Sequence, residues 1–149
     1  TQRYYDGQEG ACGCGTSSGP FSWQTGISSG VYTAAGSQAL FAPSSSTSTW
    51  CGAGCGTCYN LTSTGTAPSG QGTGGAAGES IIVMVTNLCP YNGNAVWCPQ
   101  LGGTNAYGYQ YHFDLMAQSE VFGDNPVVEF AEVACPAQAA TDWKECVCA

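Results

Sequence analysis

The chain has 149 residues, 43% of them hydrophobic and 11% aromatic, enough for one domain that buries roughly 68–70% of its unfolded surface. Its formal net charge is −8, with Arg3 and Lys144 the only basic side chains. That balance excludes a phosphate-backbone binder, which needs clustered Lys and Arg, and disfavours an anionic membrane surface. The pattern therefore calls for no nucleic-acid and no membrane partner. No apolar stretch reaches the roughly 18 residues of a membrane-spanning helix. Thr1 is not an initiator Met and no leader pattern is present, so the chain reads as a mature secreted form.

In chain order, TQRYYDG at the start sets Asp6 beside two tyrosines. Ala42 to Thr49 is polar and low in complexity, and reads as an exposed loop. Cys58 to Thr62 reads as a strand. Ser63 to Gly78, rich in Gly, Ser and Thr, reads as a second loop. Ser80 to Thr86 is a continuous apolar run of strand length, suited to a central strand. Tyr107 to Phe113 and Pro126 to Ala134 also look extended, being rich in aromatic and β-branched residues. A short helix is expected at about Leu115 to Val121, closed by Gly123, and a helical turn at Ala137 to Lys144. Short strands separated by Gly-rich loops imply a mainly β fold, a closed barrel with minor helix, in a single domain spanning 1–149.

Ten cysteines in a small chain point to five disulfides and an oxidising compartment. Cys55-Gly-Thr-Cys58 and Cys89 resemble fragments of a zinc site, but His112 is the only histidine and there is no second CxxC. The expectation is disulfides, with no metal and no cofactor; the pairing is not readable from spacing.

Asp6 and Asp114 stand almost at opposite ends of a sequence whose only acidic residue between Gly10 and Phe113 is Glu79. Each lies beside a run of aromatics. Rings that stack on pyranose faces, with two carboxyl groups to move protons, are what a sugar-cleaving site needs. The plain alternative is a solvated terminal acid and a helix-capping acid. A Ser or Cys nucleophile has only His112 for a base, and the cysteines are expected to be oxidised. Tyr5, next to Asp6, and Trp97, in the loop before Asp114, are candidate sugar-stacking rings. Asn92 is a candidate for positioning water. His112, two residues before Asp114, would share its side of an extended strand and could tune the acid or serve as scaffold. Asn60-Leu61-Thr62 is an N-glycosylation sequon.

Four segments, TQRYYDGQEGACGCG at 1–15, WCGAGCGTCYNLTS at 50–63, IIVMVTNLCP at 81–90 and YGYQYHFDLMAQ at 107–118, together resemble family 45 glycoside hydrolases. These are secreted endo-β-1,4-glucanases, and the likeness is to the branch with the YYDGQEGACGCG opening. GACG and HFD also occur in expansins, so the Tyr-Tyr-Asp opening combined with His-Phe-Asp carries the specificity. The resemblance implies a six-stranded double-psi β-barrel with an open groove. It implies an inverting mechanism, with Asp6 as general base and Asp114 as general acid. Inversion needs the two carboxyl groups about 6.5–9.5 Å apart, leaving room for a water. The acid must stay protonated, so it has to lie on a strand facing the groove; a helix N-terminus would lower its pKa.

Many relatives carry a further aspartate before the acid; here that stretch has Asn87, Asn92, Asn94 and Asn105 instead. The expected partner is a β-1,4-glucan such as cellulose or a cello-oligosaccharide, and the expected state a monomer. The rival readings are a non-hydrolytic, expansin-like wall-loosening protein, which would need no base, and a lectin-like barrel.

Overall fold

The computed structural model describes residues 1–149. Six strands are present: β1 Gln2–Tyr4, β2 Val31–Gly36, β3 Cys58–Ser63, β4 Ser80–Leu88, β5 Phe113–Met116 and β6 Val128–Val133. Their order in the sheet is β1-β5-β2-β4-β3-β6. β1 runs parallel to β5, and β2 parallel to β4, while β2/β5, β3/β4 and β3/β6 are antiparallel. Two interleaved parallel pairs force long crossovers, and these are the loops that carry the cysteines and the site.

The sheet curls until its ends meet. The Thr1 amino group and hydroxyl both donate to the Pro126 carbonyl just before β6, at 3.0 and 3.1 Å. Phe113 of β5 meets Phe130 of β6 edge to face, centroids 5.2 Å apart. Inside lie Ala34, Leu61, Val83, Phe113, Leu115 and Phe122, all buried. The architecture is the mainly β, six-stranded double-psi barrel expected. α1 (Gln38–Phe41) follows β2, and α2 (Ala137–Trp143) packs on the outside through Ala139, against Cys58 and Met84.

All ten cysteines are paired: Cys12–Cys55, Cys14–Cys146, Cys51–Cys148, Cys58–Cys135 and Cys89–Cys98. Cys55, Cys58 and Cys89 thus belong to three different disulfides. Three of the five tie the Gly-rich 11–14 segment and the 51–55 loop to each other and to the C-terminal segment. Cross-links of this kind restrict the unfolded chain, each typically by about 2–4 kcal/mol.

Two local expectations fail. Phe113–Met116 is a strand, and Leu115–Val121 forms no helix. Its helix-forming side chains are overruled because β5 is held between β1 and β2 on both edges. Tyr107–Tyr111 is not extended either. It turns about Asn105, whose Oδ1 accepts from the N–H groups of Tyr107 and Tyr109 at 2.9 and 3.1 Å, an Asx-type local bond that competes with a ladder. The strands at 58–63, 80–88 and 128–133, the helix at 137–143 and the two polar loops fall where expected.

Candidate active site

β5 alternates faces. Phe113 and Leu115 enter the core, so Asp114 faces outward. Its ladder partners are Gln2 on β1 and Ala35 on β2, and Ala35 in turn is opposite Asn87 on β4. Four strands therefore bring Gln2, Asp114, Ala35 and Asn87 into one row.

Asn87 reaches that row only because of a β-bulge. Ala34 pairs with Val85, but Ala35 pairs with Asn87, leaving Thr86 as an extra residue. Strict alternation would turn Asn87 inward with Val83 and Val85, both fully buried; the bulge re-aims it. The extra residue is used, since the Thr86 carbonyl accepts from Cys12 N–H at 3.2 Å. Gly10 passes so close that a Cβ there would sit 2.7 Å from the same carbonyl oxygen, so the chain needs glycine at that point.

Asn87 then ties the N-terminal loop to the sheet. Its Oδ1 accepts from Ala11 N–H at 2.7 Å and Leu88 N–H at 2.9 Å, and its Nδ2 donates to the Tyr4 hydroxyl at 3.1 Å. Between those anchors, Tyr4 and Ala11, the chain carries Tyr5 and Asp6. Both are exposed, and Asp6 Oδ1 accepts from Gln8 N–H at 3.0 Å. Tyr4 packs with Trp97 on Ala35 and the Cys89–Cys98 disulfide. Burial pushes the Tyr4 hydroxyl up, the Asn87 bond opposes this, and the charges of both Asp6 and Asp114 add to the rise. A neutral phenol thus stands within the field of both carboxyl groups.

Asp114 is half-buried, and its Oδ1 has neither solvent nor a hydrogen-bond partner. Burial pushes its carboxyl up to about 6, against an opposing pull from the Thr1 ammonium. Desolvation thus favours the protonated form without a neighbouring aspartate. His112 shares the outward face but is 3% exposed. Burial pushes its imidazole down to about 3, so it is neutral. Its backbone is locked to Ser37, with His112 N–H donating to Ser37 Oγ at 3.1 Å and Ser37 N–H donating to the His112 carbonyl at 3.0 Å.

Trp97 lies against His112 and Tyr107, with ring centroids 5.3 and 4.9 Å away, and is half-buried beside Ala35. Asn92 is exposed in the loop closed by Cys89–Cys98, in a cleft with Gln38, Tyr91 and Gln100. The site thus gathers Asp6, Asp114, Tyr5, Trp97 and His112 round the outer face of β1, β5, β2 and β4, with Asn92 on the adjoining loop. Sequence reasoning passed over Tyr4 and Asn87 as site residues. The available signal was a lone amide closing an apolar run, VMVTNLCP. The donor types here, carboxyl, phenol, amide and neutral imidazole, suit proton transfer to and from a neutral polyhydroxyl substrate.

Residues 1–145 match the family described as EXPB1-like domain 1. The chain is 72% identical over 149 residues to Endoglucanase-5 of Hypocrea jecorina, covering 99% of this chain and 61% of that protein. It therefore spans about three-fifths of that relative's length. It is 42% identical over 146 residues to an endoglucanase of Mytilus edulis, covering 93% of this chain and 78% of the other. The solved structure of the GH45 endoglucanase EG27II with cellobiose superposes with a TM-score of 0.88 at 38% identity, covering 99% of this chain and 86% of that one.

Proposed function

This chain belongs to glycoside hydrolase family 45, and we propose that it is the catalytic domain of a secreted, inverting endo-β-1,4-glucanase. The observation that carries the reading is the unequal pair: a half-buried carboxyl at Asp114 with one oxygen sealed from water and unpartnered, pushed up to about 6, and an exposed carboxyl at Asp6. Asp114 gives its proton to the glycosidic oxygen, so the leaving sugar departs as a neutral 4-hydroxyl. Asp6, open to solvent, takes a proton from the water that attacks C1 from the opposite side of the ring. Tyr5 and Trp97 offer ring faces to the glucosyl units on either side of the break, and Asn92 extends the polar lining. Neutral His112 supports Trp97 from beneath. Asn87 fixes the loop that presents Asp6. The acidic surface repels no neutral glucan, and five disulfides suit an extracellular medium.

A non-hydrolytic, expansin-like role would keep the barrel and Asp114 but has no use for a base. Asp6, held on a loop that Asn87 and Gly10 anchor, favours hydrolysis. Reducing-sugar release from a soluble β-glucan separates the two. The stereochemistry is read by early-time proton NMR of the products: the α-anomer is expected first, and initial β-anomer would mean retention and remove Asp6 from the base role.

A further inference from the structure

Asn60-Leu61-Thr62 is the single Asn-X-Ser/Thr sequon in the chain, and no proline interrupts it. It lies not in a loop but in β3, where alternation decides its availability. Leu61 is fully buried in the core, so Asn60 and Thr62 face outward. On that outer face α2 covers the first part of the strand, packing over Cys58 and Met84 through Ala139. Beyond α2 the face is open. The ladder neighbours of Asn60 are Ile82 on β4 and Ala131 on β6. Ala131 is exposed and has the smallest side chain that a strand normally carries. Thr62 Oγ1 bonds Ser80 Oγ at 2.8 Å, whereas the Asn60 carboxamide is partly exposed and takes part in none of the fold's hydrogen bonds. A group attached to its nitrogen would break no hydrogen bond of the fold.

Next to Asn60 stands the exposed margin of the sheet. β6 is the last strand, paired on one side only, with β3, and Glu129, Phe130, Ala131 and Glu132 are all exposed. Its other side has no ladder partner: it meets the far end of the sheet through the Thr1–Pro126 bonds and the packing of Phe130 on Phe113 and Tyr111. An uncovered edge invites pairing with a second chain unless something blocks it, and Asn60 lies one strand in from that edge.

We propose that Asn60 carries an N-linked oligosaccharide, and that this glycan screens the open edge of β6. The donor class is a lipid-diphosphate-linked oligosaccharide. The C1–N bond forms at Nδ2, the C1–O bond to the diphosphate breaks, the lipid diphosphate leaves and Nδ2 gives up one proton. Transfer occurs on the nascent chain before β3 is paired, so a strand position is no obstacle. The attachment point is remote from the catalytic row. Asn87 lies five residues along β4 from Ile82, the neighbour of Asn60, roughly 16 Å away at about 3.3 Å per residue.

The test is intact mass of the full-length protein secreted from an N-glycosylating fungal host, before and after peptide-N-glycosidase. The wild type is expected to lose a complete core oligosaccharide. Asn60→Gln and, separately, Thr62→Val should each start at the mass of its own bare oxidised peptide and be unchanged by the enzyme, whereas the released wild type carries Asp at position 60. A wild-type mass equal to that of the bare oxidised peptide overturns the assignment. For the shielding role, glycosylated and enzymatically deglycosylated wild type are heated with light-scattering detection. The deglycosylated form is expected to aggregate at a lower temperature while releasing reducing sugar at an unchanged rate. Identical aggregation onsets overturn the shielding.

Discussion

Asp114 and Asp6 are held in opposite ways. Asp114 stands in a strand between β1 and β2, with one oxygen sealed from water and no partner for it. Asp6 stands on a surface loop, exposed, with one oxygen accepting from Gln8 N–H. The first environment favours a neutral carboxyl, and the second leaves an acceptor in contact with solvent. One fold thereby gives two chemically identical groups the unequal environments that the proposed acid and base roles require. The contrast also separates what anchors each group. Asp114 depends on sheet pairing, and Asp6 depends on Asn87, Gly10 and the disulfides of the 11–14 segment.

The contrast breaks most completely at the acid itself. Asp114→Asn is expected to lower kcat on unactivated β-glucan by roughly 10²–10⁴-fold or more, since the leaving hydroxyl then departs without its proton. Asp6→Asn should cost a similar factor on all substrates. Only the acid variant should recover on an aryl glucoside whose leaving group needs no proton. Equal recovery by both variants would show that the roles are not divided as described.

Asn87→Ala tests the anchoring of the base. It removes three hydrogen bonds, from Ala11 and Leu88 N–H and to the Tyr4 hydroxyl. The bond losses cost about 0.5–1.5 kcal/mol each in net terms. Loss of Asp6 positioning is expected to lower kcat by about 10²-fold, since a shift of about 1 Å near the reacting atoms can cost that much. A crystal structure should show the Tyr5–Ala11 segment displaced and β5 unmoved. Wild-type turnover in a folded Asn87→Ala variant would remove it from any positioning role.

The pH profile sharpens the same comparison. A general acid works protonated, and burial holds Asp114 at about 6. Turnover should therefore fall as pH rises through about 6, with a single-proton slope. The neutral imidazole of His112, pushed down to about 3, contributes no limb in that range. An alkaline limb unchanged in a variant that opens the Asp114 environment to water would assign the limb to another group.

The sequence pattern made the barrel legible where burial dominates. The run at 80–86 could hardly be anything but a central strand, and it carried the core. The pattern misled at β5, because the Leu-Met-Ala-Gln run from Leu115 satisfies helix propensity and only the two flanking strands, distant in sequence, decide otherwise. β2 went unread because Ala34, Ala35 and Gly36 are weak strand formers. They are small because the site and the core press on them: Tyr4 and Trp97 pack on Ala35, and a Cβ at Gly36 would lie 2.8 Å from that of Leu40. The two carboxyl groups were visible from their aromatic neighbours. Asn87 was not, because its direction depends on one bulge, and a bulge is a property of two strands rather than of either sequence alone.

The smallest expected effect concerns stability, and its sign follows from the burial of Asp114. An aspartate carboxyl ordinarily titrates at 3.8, and burial pushes that of Asp114 up to about 6 in the fold. Between those values the folded state binds more proton than the unfolded one, so stability falls as pH rises across that window and stays lowered above it. Asparagine has the same shape and no such titration. Asp114→Asn should therefore be more stable than wild type at pH 7, by an amount on the order of 2–3 kcal/mol at most, at about 1.4 kcal/mol per unit. The difference should vanish by about pH 4, where both proteins are neutral at this position. Denaturant midpoints with the disulfides intact, taken at both pH values, measure it. An inactive Asp114→Asn variant no more stable than wild type at pH 7 would mean that the buried charge costs the fold nothing. The environment of the acid would then be no harsher than that of the base.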